Sequence, residues 1–177
     1  MTLTLGAGCF LICIYSRARW SDVRYIDHVE ITEGRFGSLT LFTVERKTAS
    51  VGLRREQFLP LIAPWEGIVN EDWMKIFMDV YQKCGLDLTR QPLGPLLPAP
   101  KTTGQFCARP LTTGEAANWL RALLEGTKDA HLFRSHSLKA SLLIWAAKAG
   151  FEQYLDIMQA HCKVQTLCTQ GICKHEL

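Results

Sequence analysis

Two side chains at residues 136 and 139 have the types and the spacing that bind an anion. His136 and Lys139 lie three residues apart in Ser135-His136-Ser137-Leu138-Lys139, so in a helix they leave the same face. Ser135 is a favourable N-cap, which would place both in a first turn, where free N–H groups and the helix dipole favour negative charge. This combination of an imidazole, an ammonium and a helix N-terminus is suited to a phosphate site. The ordinary alternative is a capping or core-edge histidine beside a solvated lysine.

Three further candidate residues lie elsewhere in the sequence. Arg19 begins Arg-Trp-Ser-Asp, Lys47 precedes a threonine between two strand-like runs, and His161 follows the helices near the C-terminus. A guanidinium can bind a phosphate through two parallel hydrogen bonds. Lysine and histidine side chains can also transfer protons. Two of these residues have an ordinary alternative: Arg19 could pair with Asp22 or Glu30, and Lys47 could be an exposed charge of a hairpin.

The N-terminal part of the chain predicts the helix that would carry Arg19. The apolar run at 3–15 is too short to span a bilayer, and it lacks the positive segment and cleavage site of a secretory signal. We interpret this run as a buried helix and expect the helical pattern to cover residues 8–25.

A small sheet should follow this helix. Residues 29–32 and 39–44 are rich in β-branched and aromatic residues, and the turn-forming residues 33–38 separate them, so we predict an antiparallel hairpin. A third strand is expected after residues 47–50, ending near residue 61.

Helices dominate the rest of the chain. Asn70 is the expected cap of a helix that ends at Gly85, and Thr112 with Glu115 forms a capping box for the next. Residues 135–150 predict a buried, mostly apolar helix, and residues 151–160 predict a shorter one.

The fold class predicted from this order is α+β, mainly helical, with a small antiparallel three-stranded sheet. We expect one domain over residues 1–177. Five prolines fall within residues 86–111, which we interpret as a long surface insertion without regular structure. The tail at 162–177 is weakly patterned.

Composition describes a globular protein in a reducing compartment. The chain has 177 residues, 47% of them hydrophobic, and its net charge of +3 permits nucleic-acid binding without requiring it. Its seven cysteines are odd in number and scattered, so we expect no disulfide framework and an intracellular location. The C-terminal cysteines and histidines fit no common zinc spacing, and we predict neither a metal nor a cofactor.

Taken in order, the motifs at Arg19, Lys47, His136 to Lys139, and His161 resemble the catalytic domain of the tyrosine recombinases, the phage-integrase-like DNA strand transferases. The resemblance covers about residues 8–170. It implies the fold of that domain, DNA as the partner, a role in DNA recombination or integration of a mobile element, and a nuclear location if the source is eukaryotic. It implies no membrane partner and leaves self-association on DNA open.

The resemblance also implies a role for each residue. Arg19, His136 and Lys139 would bind the DNA phosphate and stabilise the negative charge of the transition state. Lys139 stands where the family has an arginine, so it supplies charge without the two-pronged contact. Lys47 would be the general acid for the leaving 5′ oxygen, and His161 would donate a hydrogen bond or move a proton.

The nucleophile that the resemblance requires is missing. In the family a tyrosine hydroxyl attacks the phosphodiester and forms a covalent link to DNA, and the resemblance places it near Gln170, where no tyrosine occurs. Whether the chain is an enzyme therefore stays open. Three hypotheses follow: a strand-breaking and rejoining domain, a non-catalytic DNA-binding relic of that fold, or a helical interaction module unrelated to DNA.

Overall fold

A computed structural model of the chain describes residues 2–34, 36–43, 60–68, 72–128 and 130–150. These residues form an α+β structure with four α-helices and a three-stranded antiparallel sheet, which confirms the predicted class at that level. The chain divides into two compact units, residues 1–139 and 140–177. Among the helices so described, none has both the length and the apolar character needed to cross a membrane.

Short strands lie in two groups between the helices. The helices are α1 (Thr2–Tyr15), a first 3₁₀ helix (Trp20–Val23), α2 (Trp73–Lys83), α3 (Thr113–Leu123), a second 3₁₀ helix (Ala130–Leu132) and α4 (Ser135–Lys148). The strands are β1 (Ile26–Thr32), β2 (Ser38–Thr43), β3 (Leu61–Pro64), β4 (Pro98–Pro100) and β5 (Phe106–Pro110).

Helix α1 ends well before residue 25, so the prediction of a helix over residues 8–25 is wrong. The N–H of Ala18 donates to the carbonyl of Cys13 at 2.9 Å, and the N–H of Arg17 donates to that of Ile14 at 3.2 Å. These two bonds close a helix when the residue beyond its end is left-handed. Arg17 adopts that conformation, with φ of 54°, although glycine usually occupies it. The buried helix expected from residues 3–15 is confirmed.

Two glycines of α1 let side chains from neighbouring helices reach its backbone. A Cβ placed on Gly8 would lie 2.9 Å from Cγ of Phe77 on α2, and one placed on Gly6 would lie 2.8 Å from Cε3 of Trp119 on α3. Nonbonded carbon atoms pack best at about 3.5–4.0 Å. Helix α1 is therefore the element against which α2 and α3 are arranged.

The predicted hairpin is confirmed, and the third strand lies slightly later than expected. Strand β1 pairs with β2, and β2 pairs with β3, all antiparallel. Alternate residues of β2 and β3 face the core, namely Leu39, Leu41, Leu61 and Ala63, as strand geometry requires. Strand β3 begins at Leu61, near where the third strand was predicted to end.

The proline-rich residues 86–111 are not a surface insertion without regular structure, and that interpretation is wrong. Strands β4 and β5 form an antiparallel hairpin within them, and several of their apolar side chains belong to the hydrophobic core, namely Leu88, Leu93, Leu96, Leu97, Ala99 and Leu111. The prolines of β4 and β5 lie at strand ends, where a missing N–H is tolerated. The leucines between the prolines drive this segment into the core.

Helices α2 and α3 begin with side-chain caps. The capping box of α3 is confirmed: Thr112 Oγ1 accepts the N–H of Glu115 at 3.2 Å, and the N–H of Thr112 donates to Glu115 Oε2 at 2.7 Å. The cap of α2 is Asp72, whose carboxylate accepts the N–H of Lys75 at 3.4 Å. Asn70, the predicted cap, lies outside the described residues.

Glu115→Gln should reduce the acid sensitivity of the fold. Two hydrogen bonds of 2.8 Å from Arg109 and one from the N–H of Thr112 lower the pKa of Glu115 from 4.5 to about 2. Since the pKa is lower in the folded state, the stabilisation is present above pH 4.5 and is lost as the pH falls towards 2. Chemical unfolding between those pH values should therefore show a smaller loss of stability in Glu115→Gln than in the parent. Glu125→Gln, at a second glutamate in the turn after α3, is the control. If the stability of Glu115→Gln depended on pH in the same way as that of the parent, the prediction would be contradicted.

Candidate functional site

Arg19 lies in a short turn between α1 and the first 3₁₀ helix, rather than inside a long helix. Its backbone is extended, with φ of −80° and ψ of 152°, and its N–H donates to Asp22 Oδ2 at 2.9 Å. The N–H of Asp22 donates in return to the carbonyl of Arg19 at 2.9 Å. The carboxylate of Asp22 thus fixes the backbone of the turn. The alternative pairing of Arg19 with Asp22 occurs through the backbone, and the guanidinium takes no part in it.

Buried neighbours hold this turn in the core. Trp20 and Val23 are both buried in the hydrophobic core. The indole Nε1–H of Trp20 donates to the carbonyl of Leu111 at 3.1 Å, just before α3, and the carbonyl of Val23 accepts the N–H of Leu96 at 3.1 Å. The turn that carries Arg19 is thus connected to the proline-rich segment and to the start of α3.

Helix α4 presents the predicted phosphate-binding pair at its start. His136 is exposed, Lys139 is half-buried, and Leu138 between them is buried in the same hydrophobic core as Trp20. Ser135 was the predicted N-cap, but it is the first helical residue. The N–H of Arg134 donates instead to Ser137 Oγ at 3.2 Å.

The second half of α4 is less buried than the sequence predicted. Ile144 and Trp145 are 55% and 43% exposed, while Ala146 beside them is buried. The helix ends at Lys148, and Gly150 follows with φ of 80°. The expectation of a buried helix therefore holds for Leu138 in the first turn and not for the whole length.

Lys47 and His161 lie outside the described residues, as do the predicted helix at 151–160 and the tail at 162–177. Within residues 1–139, Arg19, His136 and Lys139 stand on segments anchored in one core. That all five side chains surround a single phosphate stays a prediction.

Three of the four tyrosines are described, and their environments differ. The hydroxyl of Tyr15 accepts the N–H of Ile68 at 3.1 Å, and its ring stacks on Trp73. Tyr81 is buried, and burial raises the pKa of its hydroxyl, which makes it a poor nucleophile. Tyr25 is 47% exposed and follows Arg24 at the end of the first 3₁₀ helix.

The four described cysteines, Cys9, Cys13, Cys84 and Cys107, are free thiols. Cys9 and Cys13 are fully buried in α1, and burial raises the pKa of both thiols, so they stay protonated and unreactive at neutral pH. In the described part of the chain, no three histidine, cysteine or acidic side chains form a group that could hold a metal ion.

A cleft of about 730 Å³ lies away from the predicted residues. It is bounded by the end of α2, the proline-rich loop and the β4–β5 hairpin, and polar side chains at its wall include Lys83, Asp87 and Arg90. None of the candidate residues Arg19, His136 and Lys139 lines it. No sequence pattern indicated this cleft, because one of its walls is the segment that we expected to be an irregular insertion.

The side chains of Arg19, His136 and Lys139 are a guanidinium, an imidazole and an ammonium group, which are types that can bind an oxyanion without a metal. Comparisons with models of known protein families, with curated proteins and with solved structures return no match for this chain. What the site can do is therefore inferred from its own residues.

Proposed function

We propose that this chain is a DNA-binding domain of the tyrosine-recombinase type, in which Arg19, His136 and Lys139 bind a backbone phosphate. One observation carries the proposal. Trp20, next to Arg19, and Leu138, between His136 and Lys139, are buried in the same hydrophobic core, so two segments distant in sequence are anchored in one unit.

The chemistry of the three side chains fits a phosphodiester. Arg19 supplies a guanidinium that can donate two parallel hydrogen bonds, and its turn is fixed by Asp22 and Trp20, so little conformational entropy is lost on binding. His136 is exposed in the first turn of α4, where the helix dipole favours an anion. Lys139 adds charge from the same turn.

The order of elements supports the same proposal. The Arg19 turn is followed by the first 3₁₀ helix and then by the antiparallel sheet. Lys47 belongs by sequence to the connection between β2 and β3, where the resemblance implies a general acid. Strand breakage and rejoining would be impaired, because no tyrosine stands near residue 170, where the resemblance places the nucleophile. Impaired cleavage with retained binding is the behaviour expected of a degenerate copy.

Arg19→Ala should weaken DNA binding about tenfold, the effect of losing hydrogen bonds to a charged group. The measurement is fluorescence anisotropy of a labelled DNA duplex over a salt series, because phosphate contacts give a steep salt dependence. Arg90→Ala removes the same charge from an exposed position on the cleft wall and is the matched control. Equal affinities for the two variants would show that the Arg19 assignment is wrong.

A nicked suicide DNA substrate distinguishes a strand-breaking domain from a non-catalytic DNA-binding relic. A covalent protein–DNA adduct would support strand breakage, and binding without an adduct would support the non-catalytic relic. If the parent protein has no DNA affinity even at low salt, the proposal fails, and the helical interaction module unrelated to DNA is the hypothesis that survives.

A further inference from the structure

Arg24 caps the C-terminal end of the first 3₁₀ helix and is a half-buried cation with no hydrogen-bond or ion-pair partner in the described part of the chain. Its Nε is buried and makes no hydrogen bond there, and neither of the two ion pairs found among these residues involves Arg24. A buried charge destabilises a protein unless it is paired. This environment is therefore suited to an anion that is not part of the described structure.

The carboxylate nearest in sequence is already engaged. Asp22 Oδ2 accepts the backbone N–H of Arg19 at 2.9 Å, and Asp22 Oδ1 accepts the hydroxyl of Ser21 at 3.4 Å. Asp22 therefore stabilises the shape of the turn and leaves the charges of Arg19 and Arg24 without an ion-pair partner among the described residues.

The Arg24 guanidinium is held by an aromatic ring. Its Cζ lies 5.7 Å from the ring centroid of Tyr25, within the range of a cation–π interaction, and Tyr25 itself is about half exposed. Because Nε is buried while the residue as a whole is only half-buried, the terminal nitrogens of Arg24 are the charged atoms that a ligand could reach.

Backbone hydrogen bonds fix the chain on both sides of Arg24. The carbonyl of Val23 accepts the N–H of Leu96 at 3.1 Å, and the N–H of Ile26 donates to the carbonyl of Gly94 at 2.7 Å. A guanidinium held in this way loses little freedom when it binds.

We propose that Arg24, positioned by Tyr25, binds a second backbone phosphate of the DNA, at the opposite end of the first 3₁₀ helix from Arg19. This inference rests on the proposed function, since it extends the same DNA-binding surface. Tyr25 acts as a positioning residue through its ring, and its hydroxyl is not needed.

The test compares Arg24→Met, which keeps an apolar stem and removes the charge, with Arg90→Met as the charge-matched control. Arg24→Met should weaken binding of a labelled DNA duplex about tenfold and reduce the slope of log K against log salt by about 1. Arg24→Lys keeps the positive charge but loses the two-pronged guanidinium contact. Its DNA affinity should therefore lie between those of Arg24→Met and the parent. Tyr25→Phe should bind like the parent, whereas Tyr25→Ala should bind more weakly.

Thermal unfolding without DNA provides a readout that does not depend on binding. Removing a half-buried, unpaired charge should leave the midpoint of Arg24→Met unchanged or raise it. A lowered midpoint would show that the guanidinium has an ion-pair or hydrogen-bond partner within the chain besides the ring of Tyr25, which overturns the inference.

The binding outcomes distinguish this inference from the proposed function. If Arg19→Ala weakens binding and Arg24→Met behaves like its control, the second phosphate contact is wrong and the first stands. If Arg24→Met weakens binding and Arg19→Ala does not, the second contact is supported and the recombinase-type pocket is overturned. A parent protein without salt-dependent DNA binding overturns both.

Discussion

Phe77→Ala should lower the free energy of unfolding by about 3–5 kcal/mol, the effect of removing a buried phenyl ring and leaving a cavity. Phe77 is 2% exposed and packs against α1 at Gly8, and its ring lies 5.4 Å from that of Tyr81. Chemical denaturation measures the change. Ile76→Ala, at a side chain 55% exposed on the same helix, should change stability far less.

A double-mutant cycle tests the contact between α1 and α2 more sharply. Gly8→Ala alone should destabilise the fold by about 1–3 kcal/mol, because the new methyl group overlaps the Phe77 ring. In the Phe77→Ala background that overlap is gone, and alanine in a helix interior is favoured over glycine by about 1 kcal/mol. The sign of the Gly8→Ala effect should therefore reverse. Additive effects would contradict the assigned contact.

Trp20→Ala should have a comparable effect, about 3–5 kcal/mol of lost stability, and should also disturb the Arg19 turn. Trp20 is 3% exposed, its ring lies 5.3 Å from that of Phe10, and its N–H bonds to the carbonyl of Leu111. Because unfolding alone would reduce DNA binding, Trp20→Phe is the more informative variant. It keeps an aromatic ring but removes the hydrogen bond, and it should lower the free energy of unfolding by about 1 kcal/mol.

The measurement for Trp20→Phe combines chemical denaturation with DNA anisotropy on the folded variant. Trp119→Phe changes a half-buried indole on α3 and serves as the control for a changed ring size. If Trp20→Phe matches Trp119→Phe in both stability and affinity, the hydrogen bond to Leu111 does not position the turn.

Local chemistry was sufficient to predict several elements. The hairpin of β1 and β2 follows from the β-branched and aromatic residues on either side of a glycine-containing turn. The start of α3 follows from Thr112 and Glu115, whose side chains satisfy each other's backbone N–H groups. In both cases the residues that determine the structure are neighbours in sequence.

Other features depend on contacts that a sequence does not display. The end of α1 is set at Arg17, which adopts a left-handed conformation without being glycine, so no stop signal was visible. The proline-rich segment was misinterpreted because prolines at the ends of β4 and β5 resemble a loop pattern, whereas its leucines are buried by tertiary packing.

The candidate site was predictable only in part. His136 and Lys139 could be assigned to one helix turn from their spacing, and the structure confirms that both lie at the start of α4. Arg24 was missed because its significance depends on burial, on the ring of Tyr25 and on the engagement of Asp22, none of which leaves a periodic signal.

Glycines at positions 6 and 8 fix both the rotation and the axial position of α1, because a shift by one residue would bring a larger side chain against Trp119 or Phe77. A gene copy that drifts without selection would lose these glycines as readily as any others. The close packing of α1, α2 and α3 would be lost with them. Their retention in sequences descended from a common ancestor would therefore indicate that a folded product is still under selection, whether or not it cuts DNA.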